Sequence, residues 1–518
     1  MSSSTVLYAL LSVFLVSRYV KYRNGCKSVA GIPIMTVPCA PFSLLGSLLP
    51  TSRFNPGMCF QWEWRNWIYE RYGSETVAIV PFLFGRPIIY TSSLEVSREV
   101  LDTKNPFLKA EDATQAVLQY GHNIFTSNGD EWKRHRRILG PAFTTETYNM
   151  VWEETSSLYH EMCSEEGWDA KNTVDLPAVK VFTDKFSLII LSRCAFGVPL
   201  GWKQEKPKEG EMAFGDALLH VMDSCIARLI TPRWMYWLPV PQLHQIEKAH
   251  RTLSDVMHKL IREQRQAFSA EKDGEGSKRR DVVSLMVRAR EQEGKFTMSD
   301  DELVGNTFFL LFAGHETMAH IWNSTLGFLA LYEDIQVDMY KEIQAAAPDD
   351  TPITFSMASQ LDKVLACFIE TGRLFSPGFV LVRDTTDNIV LPHFERSGAR
   401  SQVGLGPDVR VAVDVVGLHH NPRHFSEPEE YRPSRWYGVS ESDVSIFSVG
   451  PRACTGRRFA LTEACCFLAH LLRDWRVEII ARPGESKTEW RQRVMRAHTT
   501  MTMGVGDVPV RLIRRERL

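Results

Sequence analysis

The chain lacks any charge imbalance: over 518 residues, 60 Lys and Arg meet 62 Asp and Glu, leaving a net charge of -2. No global field draws nucleic acid or another strongly charged partner, so electrostatic docking has to be local. Paired C-x-x-C motifs are also missing, and the ten cysteines are scattered without regular spacing. That argues against a disulfide scaffold and a structural zinc site, and reads as reduced cytosolic thiols. No G-x-G-x-x-G follows a strand and no flavin domain is appended, so electrons for any redox chemistry must come from outside. There is no internal repeat.

Basic residues are missing before the apolar run Val6–Val16 and appear directly after it, as Arg18, Lys21, Arg23 and Lys27. A cleaved signal peptide needs a basic leading segment and a small-residue cleavage site, and neither is present. The positive-inside rule reads residues 1–23 as a single-pass signal anchor that leaves the rest of the chain in the cytosol. Residues 24–50, with the proline-spaced "GIPIMTVPCAP", predict a stiff linker that lifts residues 51–518, one large domain, off the bilayer.

Helical periodicity dominates from about Cys59 onward. β-branched runs at Glu75–Thr91 and Gly378–Leu391 predict hairpins, and the polar tracts Glu271–Asp281 and Glu395–Asp408 predict solvated loops. The predicted class is mainly α with a small β-sheet subdomain. The longest helical segment opens on a capping box, Ser299 with Glu302, and runs about thirty residues without proline, or about 45 Å. Its apolar character on nearly all sides implies a helix through the core, with "AGHET" (Gly314, His315, Glu316 and Thr317 among its residues) at the centre. Phe309, Ala313 and Thr317 share one face at i, i+4 and i+8, an aromatic ring, a small residue and a hydroxyl.

Three charges follow in order: Glu370 and Arg373 at i, i+3, then Arg435 in the proline-bounded "YRPSRW". The chain then reaches "FSVGPRACTG", Phe447 to Gly456. A thiolate survives in an apolar interior only when a metal and backbone N–H groups compensate its charge. Gly450 and Gly456 permit positive φ and a close backbone approach to sulfur. With no second Cys or His nearby, tetrahedral zinc is disfavoured, whereas an axial bond to heme iron asks for a single thiolate, Cys454. Arg452 would meet a heme propionate and Phe447 would pack beside the sulfur.

The pattern F-x-x-G-x-R-x-C-x-G is matched at each defined position and resembles the heme-binding loop of the cytochrome P-450 superfamily. "GDEWKRHRR" is similar to that family's W-x-x-x-R helix, and the A-G-x-E-T, E-x-x-R and "YRPSRW" segments follow in the family's order, from about residue 50 to the end. The resemblance implies the family's fold and a heme-thiolate monooxygenase: heme b with Cys454 as axial ligand, O2, and NADPH electrons through a cytochrome P-450 reductase, with cytochrome b5 as a possible second donor. It implies that Trp132 and Arg136 bind a propionate, that Ala313 lies over the heme, and that Glu370, Arg373 and Arg435 form the structural charge triad. Thr317 and Glu316 are the expected proton-delivering pair, with Gly314 leaving room for O2. Phe125, Phe309, Phe312, Phe379 and Val380 are expected to wall a pocket for a lipophilic substrate that partitions from the membrane.

The N-terminal style and the A-G-H-E-T centre resemble fungal microsomal members, which often oxidise terpenoids, sterols or other secondary metabolites. That implies anchoring in the endoplasmic reticulum with the catalytic domain facing the cytosol. Lys133, Arg137, Arg457 and Arg458 suggest a basic patch for an acidic flavoprotein. A heme-thiolate isomerase or dehydratase is the alternative, and a non-catalytic heme sensor a more distant one. Two positions depart from the family pattern: Gly372 inside the E-x-x-R helix and Tyr431 in place of Phe.

Overall fold

The structure, a computed structural model, describes residues 3–41, 43–57, 59–204, 210–272, 281–291, 297–348, 351–440, 444–499 and 501–516. The predicted loop Glu271–Asp281 lies largely outside them. The chain divides into two units interleaved in sequence: Met1–Ala110 with Gly378–Glu430 and Ser448–Ala453, and Glu111–Pro377 with Tyr431–Phe447 and Cys454–Leu518. The expected boundary at residue 51 is therefore not where the chain divides.

The first unit begins with helix α1 (Ser3–Ser28) and contains a short helix α2 (Leu44–Leu48). Its strands are β1 (Ile34–Cys39), β2 (Thr76–Phe84), β3 (Ile88–Thr91), β4 (Phe107–Lys109), β6 (Val380–Thr385), β7 (Ile389–Phe394), β8 (Arg400–Leu405) and β9 (Arg410–Asp414). Six of them form one sheet in the order β1-β2-β3-β9-β6-β4. β-branched residues such as Val80, Ile89, Val411 and Val413 are buried along it, as suits a pleated, covered surface.

The linker expected over residues 24–50 is instead part of the fold. Residues 34–39 pair in parallel with β2, and Met35, Val37 and Cys39 are buried. Pro38 is accommodated because β1 is an edge strand and its register shifts between Val37 and Cys39, so no ladder N–H is missed there. The expected hairpin at Glu75–Thr91 is β2–β3, antiparallel. The one expected at Gly378–Leu391 does not form: β6 pairs with β9 and β4, while β7 pairs with β8. Strand β8 lies within the tract that reads as a solvated loop.

The second unit is helical. It includes α3 (Gly129–Leu139), α4 (Val179–Phe196), α5 (Phe214–Ile230), α6 (Asp300–Leu331), α7 (Asp362–Leu374) and α8 (Arg457–Asp474). A sheet β10 (Trp475–Ile479), β13 (Val510–Arg514), β5 (Thr173–Leu176) and a hairpin β11 (Ala497–Thr499), β12 (Met503–Val505) complete it. The predicted long helix is α6, 32 residues, with both halves of the Ser299–Glu302 capping box made. Packing around it is close. A Cβ on Gly305 would lie 2.5 Å from the carbonyl oxygens of Gly121 and His122, so the loop before α3 docks backbone to backbone on α6. Asn306 Oδ1 accepts the Ile124 N–H at 2.9 Å at the same place.

Candidate active site

Cys454 lies three residues before α8. Its N–H donates to the Phe447 carbonyl at 2.9 Å, which closes the loop. Gly450 has φ +79°, as a loop of this shape requires, but Gly456 has φ −83° and caps α8. The expectation of positive φ at Gly456 is thus corrected. A Cβ there would stand 4.0 Å from Cys454 Sγ, so glycine leaves the sulfur uncrowded. Burial pushes the Cys454 thiol up, while the Gly456 N–H, Arg136 and Arg457 pull it down. The residue nonetheless keeps an exposed surface. This is a thiol with thiolate-stabilising donors at a helix N-terminus. Arg136, on α3, donates to Thr455 Oγ1. Trp132, one turn earlier, is buried.

Glu370, Arg373 and Arg435 lie together in the second unit. Glu370 takes Arg373 Nε and Nη2, each at 2.8 Å, and Arg435 Nε at 3.2 Å. Two donors escaped the sequence reading: Trp436 Nε1 at 2.8 Å and the Arg432 N–H at 2.9 Å. The indole of "YRPSRW" was the available signal, since a buried Trp N–H needs an acceptor. Both unusual residues find reasons here. A Cβ on Gly372 would meet Ile446 Cδ1 at 2.9 Å, and Tyr431 donates its hydroxyl to the Cys367 carbonyl at 3.0 Å while stacking on Phe328.

On α6, Thr317 Oγ1 donates to the Ala313 carbonyl at 2.7 Å, leaving its lone pairs to accept. Glu316 is buried, 3.7 Å from His320 Nε2 one turn on. Burial pushes the Glu316 carboxyl up, but His320, Thr502 and His315 outweigh it and hold the group below its ordinary value. His320 fits only because residue 504 is glycine: a Cβ there would lie 2.1 Å from the His320 ring. Gly314 faces α4, where its missing side chain admits Leu191 Cδ1. The structure shows it in a helix-packing contact with α4.

Phe125 stacks on Phe309 at 5.3 Å, and Phe309 meets Phe312 at 6.5 Å, a continuous aromatic wall in the second unit. Phe379 and Val380 belong to the first unit, at the start of β6, where the Phe379 carbonyl accepts the Val415 N–H.

The first unit holds a feature that sequence reading missed. Arg452 shares its surroundings with Arg383 on β6 and Lys109 on β4. Burial, then the charge of Arg452, pushes Arg383 down to about 9; burial pushes Arg452 down to about 10. Lys109 falls well below its usual range through burial and then through Arg383 and Arg452. Basic residues within short apolar strands were the only clue. Three half-buried or buried cations in one place suit an anionic group such as a propionate. Taken unit by unit, the chemistry fits parts of a heme: a lone thiolate-poised cysteine in the second unit and a cationic cluster in the first.

The family profile for cytochrome P450 matches residues 65–502. The chain belongs to the cytochrome P450 family. It is 28% identical over 526 residues to cytochrome P450 monooxygenase 124 of Postia placenta, covering 99% of this chain and 100% of that protein. A P450 monooxygenase of the phomenoic acid biosynthesis cluster in Leptosphaeria maculans is 25% identical, over 77% of this chain and 75% of that one. The crystal structure of the cytochrome P450DA heme domain superposes with a TM-score of 0.72 at 20% identity, covering 94% of this chain and 99% of that one. This P450 is accordingly an oxygen-incorporating oxidoreductase of mainly helical fold whose family binds heme through a cysteine thiolate.

Proposed function

We propose that this P450 is a membrane-anchored monooxygenase that takes NADPH electrons through a separate reductase and hydroxylates or further oxidises a lipophilic substrate, a terpenoid or other secondary metabolite. The observation that carries the reading is Cys454, a thiol served by the Gly456 N–H and two arginines. Heme bound there supplies reductive activation of O2 at a thiolate-ligated iron. Trp132 and Arg136 of the second unit would hold a propionate, and the Arg452, Lys109 and Arg383 cluster of the first unit has the charge to meet one. Thr317, its own proton committed to Ala313, accepts a hydrogen bond from a proton-bearing neighbour and positions it, and Glu316 relays protons to that neighbour. The wall of Phe125, Phe309 and Phe312 excludes water and orients an apolar substrate.

Among the described residues one helical stretch, Thr5–Ser28, is long and apolar enough to cross a membrane, which supports an anchor; the membrane assigned to it in this reading is the endoplasmic reticulum. Exposed Lys133 and Arg137 on α3 favour an acidic flavoprotein as electron donor. The secondary-metabolite reading rests on the named fungal relatives. The test is the spectrum of the dithionite-reduced, carbon-monoxide-bound protein. The wild type is expected to show the strongly red-shifted Soret band of thiolate-ligated heme and Cys454→Ser to lose it; an ordinary histidine-like band in the wild type would overturn the reading.

A further inference from the structure

Three elements of the second unit bring imidazole and carboxylate groups to one place. Glu131 and His135 stand at i, i+4 on α3, the spacing that sets two side chains one above the other on a helix. Glu302 comes from the first turn of α6. One donor atom from each of the three lies within 4.8 Å of the others. His122, in the loop before α3, adds a fourth, its Nδ1 3.2 Å from Glu131 Oε1. That loop is seated by its backbone: the Gly121 and His122 carbonyls press on Gly305, and Asn306 holds the Ile124 N–H, one turn past Glu302 on α6.

The spacing has the scale of a metal centre. Four ligands around zinc at bonds of about 2.0–2.1 Å stand roughly 3.3 Å from one another in a tetrahedron. His122 and Glu131 are 3.2 Å apart, and His135 Nε2 is 3.2 Å from Glu302 Oε1, so two opposite edges of such a tetrahedron are already present. Rotation of the half-buried Glu131 closes the rest. Mixed imidazole and carboxylate donors suit zinc, whereas calcium and magnesium take oxygen ligands. Arg134 keeps its place beside such an ion. Its Nη1 donates to Glu302 Oε2 at 3.0 Å, as the Ser299 N–H does at 2.7 Å, and a metal asks only for Oε1. The side chains of His122 and Glu131 are 61% and 33% exposed, which opens the site to an ion from solvent, while His135 is fully buried and closes its inner side.

We propose that His122, Glu131, His135 and Glu302 bind one zinc ion, which clamps the loop before α3, α3 itself and the start of α6 together. His122 precedes Phe125 by three residues, so the clamp also holds the end of the aromatic wall.

Zinc itself is the probe. The full-length protein is stripped of loose metal with a chelator, equilibrated with buffered zinc chloride in the micromolar range and desalted. Zinc per chain is counted by elemental mass spectrometry, and its ligands are read from X-ray absorption at the zinc edge, where iron does not contribute. The expected result is one zinc per chain with nitrogen and oxygen ligands and a thermal denaturation midpoint raised by zinc. His122→Ala/Glu131→Gln changes only two partly exposed side chains, and circular dichroism checks that it folds. Because loss of a ligand's supporting partner alone costs about 10–100-fold in metal affinity, removal of two ligands is expected to weaken zinc binding at least about a hundredfold and to abolish the shift in midpoint. Glu131→Gln alone is expected to weaken it at least about tenfold. A wild type without zinc, zinc held equally by the double variant, or zinc bound through sulfur would each overturn the site.

Discussion

Glu370 is fully buried and accepts from Arg373, Arg435, Trp436 and a backbone N–H. Removing it strands a fully buried guanidinium, so Glu370→Ala is expected to cost about 3–5 kcal/mol, read as a lowered denaturation midpoint and a smaller fraction giving the carbon-monoxide band. Asp414 carries a pH dependence of its own. Burial pushes its carboxyl up to about 6, against the Gly417 N–H and the Tyr69 hydroxyl, which donates at 2.7 Å. The folded state then binds more protons than the unfolded one between the ordinary carboxylate range and pH 6, so stability falls as pH rises through that window. Asp414→Asn should remove the slope, a difference of about 2–3 kcal/mol between pH 4 and 6 in paired thermal melts.

Helix α6 is positioned by contacts that tolerate no added atoms. At its first turns Glu302 receives Arg134 Nη1 at 3.0 Å and His135 at 3.2 Å, both from α3. These bonds overcome the cost of burial and hold Glu302 at about 2. Helix α3, with Trp132 and Arg136, is thereby locked in register against α6. Gly305→Ala would press a methyl into two backbone carbonyls and is expected to destabilise by at least about 1–3 kcal/mol. Gly372→Ala meets the flexible ends of Ile446 and Ile321 and should be nearly neutral in the same chemical-denaturation series, because helix propensity offsets the crowding. Strand β1 shows how an element escapes a local reading: Pro33, Pro38 and Pro41 argue against regular structure, yet the edge position of β1 removes the objection.

For the whole molecule, electron supply is the property to test. Lys133 and Arg137 are exposed on α3, and Arg458, near Tyr148, adds to the same sign. Lys133 pairs with Asp130 at 2.8 Å, an exposed contact of little strength. Lys133→Glu/Arg137→Glu should raise the apparent KM for the reductase on the order of tenfold at low salt, leave the carbon-monoxide band intact, and lose that penalty as ionic strength rises. An unchanged KM would remove these residues from the docking face.

Local chemistry already determined much of this P450. The capping box and unbroken apolar run set α6, because both act within one helix. Cys454, Arg452, Gly450, Glu370, Arg373 and Arg435 were legible because each sits in a short motif whose residue types have few other uses. Tertiary structure alone decided the rest. Lys109 joins Arg383 and Arg452 only after β4 pairs with β6, residues more than two hundred and fifty apart in sequence. Gly314 and Gly504 serve close approaches to Leu191 and His320, and no sequence pattern encodes which neighbour arrives. The same holds at the N-terminus: composition marks an apolar helix, but only the folded chain shows Arg18 and Tyr22 packed on the edge of the sheet.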